Sequence, residues 1–156
     1  MFDKNDLCRF LSEAKKSTYA SGDSKMKTIN EDKSTTIVFS EWHWEYNDNY
    51  FWWEPYGWRE VVFYNGLPVY MMVYYWNVAE TCKDFQEVYT ILQEALRNIP
   101  EDNPYRWPRS LESGKSIYIN NYTWDIDDFF GEEIIKIDWT EVYKAKYIWG
   151  FVDQRR

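Results

Sequence analysis

The feature that most limits what this chain can become is a pattern that occurs twice. Phe10-Leu11-Ser12-Glu13-Ala14-Lys15-Lys16 is answered 81 positions later by Ile91-Leu92-Gln93-Glu94-Ala95-Leu96-Arg97. Ile37 to Trp44 can be laid on Ile117 to Trp124, and Glu60-Val61-Val62 on Glu133-Ile134-Ile135. Val69-Tyr70 matches Val142-Tyr143, and Tyr74 and Trp76 match Tyr147 and Trp149. The offset falls from 81 to 80 to 73, which puts a seven-residue difference between Trp44 and Glu60, in the run YFWWEPYGW. Each copy reads helix, strand, hairpin. Two copies are too few for a solenoid, so the expectation is one pseudo-twofold domain over residues 1–156, with halves at about 4–78 and 80–152.

Local signals fill in the unit. Leu7, Phe10, Leu11 and Ala14 recur at helical spacing behind Asp3 or Asn5 as a cap, predicting a helix from Lys4 to Tyr19. A second helix is predicted over about Glu80 to Asn98, with Phe85, Val88, Tyr89, Leu92 and Leu96 on one side. Arg59–Tyr64 and Leu67–Trp76 flank Asn65-Gly66, a dipeptide that turns a two-residue hairpin because both positions accept a positive φ. Pro100, Pro104 and Pro108 hold an extended connector. Further strands are predicted at Thr35–Tyr46, Lys115–Trp124, Glu133–Ile137 and Glu141–Phe151. The fold class that follows is α+β: two helices on a mainly antiparallel sheet of about six strands.

Composition supports a packed domain and removes several functions. With 45% hydrophobic residues, among them 10 Trp, 14 Tyr and 9 Phe, the chain can fill a core and is not a disordered segment. Its net charge of −8 opposes general attraction to nucleic acid polymers or anionic membranes. Cys8 and Cys82 make no disulfide framework and no Cys-x-x-Cys motif. No leader and no membrane span of roughly 18 apolar residues is visible, so a cytoplasmic setting is expected, bacterial or phage.

Chemistry-bearing motifs are sparse. His43 is the single histidine, expected on a strand between Trp42 and Trp44, and it brings no nucleophile elbow and no set of zinc ligands. The six glycines form neither a P-loop nor a dinucleotide fingerprint. Asp125, Asp127 and Asp128 read as a solvated turn rather than a calcium loop. Glu60 with Glu132-Glu133 would suit a glycosidase only at a defined carboxylate separation. Arg59, Arg106 and Arg109 could each meet an anion. A non-catalytic protein without cofactor or metal is therefore expected.

The combination Phe10-Leu11-x-Glu13-Ala14-Lys15, Thr18-Tyr19-Ala20-x-Gly22, Gly57-x-x-Glu60, Asn65-Gly66-x-Pro68-Val69, Glu94-Ala95-Leu96-Arg97, Pro104-Tyr105-Arg106 and Phe129-Phe130-Gly131-Glu132-Glu133-Ile134 resembles the domain of unknown function 5680 family. The resemblance covers nearly the whole chain. It departs at Trp107, where the family pattern has Gly, at Asp138-Trp139, where a second Asn-Gly turn is expected, and at Phe51–Trp53, usually rich in Gly. The family occurs in bacteria alone or behind a helix-turn-helix, which implies sensing or partner binding and no particular chemistry.

Two surfaces then stand out. A simple two-residue hairpin at Asn65-Gly66 puts Glu60, Val62, Val69, Met71, Val73 and Tyr75 on one face, opposite Tyr70, Met72, Tyr74 and Trp76. The second hairpin would oppose Glu133 to Lys144, whereas Glu60 lacks that lysine and would raise its pKa, bond Arg59, a lysine or backbone, or face a ligand. Trp52, Trp53, Tyr56 and Trp58, with Glu60, Arg106 and Trp107, are the candidate lining of an aromatic cleft between the halves, suited to an organic cation or a flat ring. The first expectation is thus a sensor or sequestering module for a small molecule, in a phage setting a sponge for a nucleotide signal. The second is a protein-interaction module or homodimer that uses Val69, Met71, Val73 and Tyr75 and the aromatic loop.

Overall fold

A computed structural model of the chain describes residues 2–18, 27–51, 53–99, 108–123, 126–153 and 155. Two helices and nine strands follow one another as α1 (Lys4–Ser17), β1 (Lys27–Ile29), β2 (Thr35–Glu41), β3 (Trp44–Tyr50), β4 (Tyr56–Tyr64), β5 (Leu67–Val78), α2 (Phe85–Arg97), β6 (Ser110–Ser113), β7 (Ser116–Tyr122), β8 (Asp128–Ile137) and β9 (Thr140–Phe151). The strands form one antiparallel sheet in the order β1-β2-β3-β4-β5-β9-β8-β7-β6. The expected α+β class holds in its broad form, with nine strands rather than about six. The additional ones are the short edges β1 and β6 and the strand β3, whose run WEYNDNY is too polar to announce itself.

Each helix forms for the reason its sequence gives. In α1, Leu7, Phe10, Leu11 and Ala14 all lie buried against the sheet, and the Asp3 side chain accepts the Asn5 backbone N–H at 2.7 Å. In α2, Val88, Ile91, Leu92, Ala95 and Leu96 are buried and Asp84 caps the first turn through the Glu87 N–H. Phe85, expected on the inner side, is 43% exposed. Helix α1 packs on β2 and β3, α2 on β7, and both cover the same face.

The long hairpins carry a correction to the expected register. Asn65 and Gly66 (φ 50° and 76°) turn β4 into β5 as a two-residue loop, and Asp138 and Trp139 (φ 48° and 65°) do the same for β8 and β9. Phe63 then pairs with Pro68, but Val62 pairs with Tyr70, so Val69 is an extra residue in a β-bulge. Lys136 pairs with Glu141 and Ile135 with Tyr143, which makes Val142 the same kind of extra residue. A bulge flips every side chain beyond it to the other face. Glu60 therefore faces Met72 rather than Met71, and lies with Tyr70, Tyr74 and Trp76. Glu133 faces Ala145 rather than Lys144. Proline at position 68 is consistent with this, because it cannot donate to the ladder it interrupts.

The two hairpins meet along β5 and β9, where Tyr74 lies opposite Tyr147, Met72 opposite Trp149 and Trp76 opposite Ala145. Counted outward from that seam, the place of β7 is matched by β3 and not by the stretch Ile37 to Trp44. Trp42 and His43 form the turn between β2 and β3, so His43 is an exposed turn residue rather than a strand residue.

Candidate functional site

The covered face gathers most of the aromatic mass. Tyr56, Trp58 and Glu60 occupy successive inward positions of β4, with 5%, 6% and 4% of their surfaces exposed. Trp58 packs on Tyr74 with ring centroids 3.8 Å apart and on Trp76 at 4.4 Å. Three of the expected ligand-binding residues thus come together, but as close-packed core. Of the others, Trp53 is 84% exposed in the loop after β3, while Trp52, Arg106 and Trp107 lie outside the described residues. That loop is tied down through Glu54, whose carboxylate accepts the Tyr89 hydroxyl of α2 and the Val78 N–H at 3.1 Å. Burial and this hydrogen bond push the Tyr89 phenol well above its ordinary pKa. Burial likewise raises those of Tyr50 and Tyr56.

Two polar nodes interrupt this core. In the first, the Lys15 ammonium from α1 lies 3.1 Å from Glu60 Oε2 and 3.7 Å from the ring centroid of Trp149. The Tyr74 hydroxyl donates to Glu60 Oε1 at 3.1 Å, and Asp48, fully buried, stands beside Glu60 on β3. Of the alternatives open to Glu60, the partner here is a cation, Lys15, contributed by a helix. In the second node, Glu133 accepts from the hydroxyls of Tyr118 (2.8 Å) and Tyr143 (3.4 Å), and Tyr147 donates to Asn120 at 2.5 Å. Three strand spacings and four residues of rise separate Glu60 from Glu133, about 20 Å. A glycosidase pair needs at most about 9.5 Å, so the two carboxylates do not form one.

The other face of the sheet carries no helix among the described residues, and here the expected interaction residues divide. Val69, in the bulge, is buried, and Met71 is half-buried, whereas Val73 and Tyr75 are 44% and 55% exposed. Their neighbours were not singled out from the sequence. Val73 pairs with Ile148, which pairs with Phe130, so three apolar side chains stand in one row beside Arg59. Ile148 and Phe130 are 58% and 56% exposed. The next row runs Gly57, Tyr75, Lys146, Glu132. Missing Phe130 and Ile148 has a simple cause: the sheet order that brings β8 and β9 beside β5 is a long-range property. The patch is rimmed by polar groups. On one flank, Asn30 and Asn49 amides donate to Ser34 and Thr36 hydroxyls at 2.8–3.0 Å, and on the other Lys144 pairs with Glu132 at 3.0 Å.

At one end of the seam, where β5 leaves the sheet and β9 enters it, a concavity of about 400 Å³ is lined by Tyr75, Asn77, Ala79, Glu141, Lys144 and Lys146, among others. Elsewhere the candidate groups are engaged locally. Arg109 stacks 4.0 Å over the Tyr122 ring, and Asp127 pairs with Lys4 at 2.5 Å. No helix among the described residues is long and apolar enough to cross a membrane.

A family model described as Domain of unknown function (DUF5680) matches residues 48–152, more than half of the chain. No curated protein and no solved structure matches it.

Proposed function

The chain belongs to the domain of unknown function 5680 family, a membership that brings no activity with it, and we propose from its geometry that it is a non-catalytic protein-interaction module. The working surface is the open face of the sheet around Val73, Tyr75, Phe130 and Ile148. One observation carries the reading: these four large side chains, each 44–58% exposed, adjoin one another on strands that the fold brings together. Contiguous apolar surface of this kind, rimmed by polar groups, is the anatomy of a docking site. A photo-crosslinking residue placed at 73 or 148 should yield covalent adducts in cells, and one at the exposed edge position Ser113 should not. Absence of adducts from both positions would remove the face from consideration.

The same reading includes an internal duplication. We infer two copies of a helix, a short hairpin and a long hairpin, related by a local twofold through the Tyr74–Tyr147 pair. Three observations support it: matching positive-φ turns, matching bulges at Val69 and Val142, and a seam register that closes on itself under a 73-residue offset. The surplus residues of the first half then fall between α1 and β2, not in the aromatic loop.

A second reading, a small-molecule module, is favoured by the concavity at the seam. Its volume of about 400 Å³ is that of a metabolite site, and it sets an exposed Tyr75 ring beside the ammonium groups of Lys144 and Lys146. These groups suit a flat anionic ligand rather than the organic cation expected from composition. Mass spectrometry of molecules released from natively purified protein tests it. A stoichiometric anion lost in Tyr75→Ala supports the reading, and one retained there refutes this site.

A further inference from the structure

Resting on the reading of the open face as a docking surface, we infer that its occupant is a second copy of this chain, seated sheet to sheet. The two central rows decide this. They run Arg59-Val73-Ile148-Phe130 and Gly57-Tyr75-Lys146-Glu132 across β4, β5, β9 and β8. A face with cations at one set of positions and aromatic rings at the mirrored set is complementary to itself.

A twofold axis lying along the seam, parallel to the strands, sets β5 over β9 of the other copy and β4 over β8. Each row then lies over its own reverse. Val73 packs on the partner's Ile148, and Tyr75 receives the ammonium of the partner's Lys146 on its ring. Arg59 lies over the partner's Phe130, one row from the partner's Glu132. Every contact occurs twice. Arg59 acts on Asp32 through its charge and Lys146 lies opposite Glu132, whose carboxylate pairs with Lys144, and each of the two cations gains an aromatic face in the pair. Sheets stacked this way interdigitate their side chains at about 10 Å separation, with strands within about 30° of parallel.

The area suffices. Each outward position of a sheet covers about 33 Å², from a strand spacing of about 4.8 Å and a same-side repeat of about 6.8 Å. The roughly 800 Å² per partner of a stable interface therefore takes about 24 positions, and the outward positions of β2–β5 with β7–β9 supply about that number.

Sedimentation equilibrium of the full chain should show a dimer at micromolar concentration. Val73→Lys should move the dimer–monomer midpoint at least about tenfold towards monomer without lowering the melting temperature measured at concentrations where both proteins are monomeric, because the sheet already accepts Lys146 on the same face. In a Cys8→Ser, Cys82→Ser background, Val73→Cys and Ile148→Cys proteins should form a mixed disulfide with each other and not with themselves. A chain that stays monomeric overturns the second copy, as does a dimer indifferent to Val73→Lys or one lacking the mixed disulfide. The crosslinks described above separate this from the broader reading. Adducts of twice the chain mass support both, adducts of another mass overturn only the second copy, and no adducts overturn both.

Discussion

Lys15 and Glu60 show how one residue can join two elements. Both are about 95% buried, and the pair links α1 to β4 while the ammonium rests on Trp149 of β9. Breaking such a pair from one side leaves a charge in the core, which costs about 3–5 kcal/mol, whereas removing both charges costs far less. Lys15→Met should thus destabilise strongly in urea, and Lys15→Met with Glu60→Gln should recover most of the loss. Simple additivity of the two single variants would show that the ion pair is not what holds them. The sequence marked Glu60 as a carboxylate among apolar strand residues and left it a choice between a raised pKa, a cation or backbone partner, and a ligand. It did not disclose which cation, because Lys15 and Glu60 are 45 positions apart and meet only when the helix lies on the sheet. Phe130 and Ile148 were silent for the same reason: alternation placed them on a face but gave that face no neighbours.

At the scale of the strand, Gly131 has no room for a side chain. A Cβ built there would lie 2.5 Å from Tyr147 Cζ and 2.8 Å from Asn121 O, and would overlap the Tyr147 hydroxyl. The ring of Tyr147 fills the volume that a side chain at 131 would need. Tyr147 also donates to Asn120, so the ring cannot retreat without losing a buried hydrogen bond. Gly131→Ala should cost about 2–3 kcal/mol, read as a shift in unfolding midpoint at unchanged slope. A neutral effect would mean that the β7–β8–β9 packing yields more than its geometry indicates. Hairpins were largely legible at this scale. Asn65-Gly66 announced its turn through two residues that tolerate positive φ, and the offset of 73 announced the partner hairpin. What alternation missed was the bulge after each turn. One added residue at Val69 or Val142 leaves the hydrophobic pattern looking continuous while reversing which face it serves.

The molecule as a whole should be sensitive to alkali. Tyr50, Tyr56 and Tyr89 are held above the ordinary value of 10.0, in each case chiefly by burial; the nearby Asp48 also acts on Tyr50, and Glu54 acts on the other two. Below pH 10 both the folded and unfolded chains keep these protons, so stability is indifferent to them. Above it the unfolded chain releases them while the folded chain does not, and stability falls as pH rises. Melting temperature should be level to about pH 10 and then drop, with the last part of the tyrosinate absorbance appearing together with unfolding rather than before it. Early tyrosinate absorbance from the native protein at the full tyrosine count would refute this. The seam has a different consequence. Six residues, Ala79–Asp84, are all that separate the end of β5 from the start of α2, and every strand before them lies on one side of the β5–β9 ladder in the sheet order. A protease cut in that connector would yield two polypeptides, each with a bare twelve-residue edge. Mixed, they hold the means to rejoin and so to serve as a split reporter; kept apart, each offers a template on which its own kind can grow into fibres.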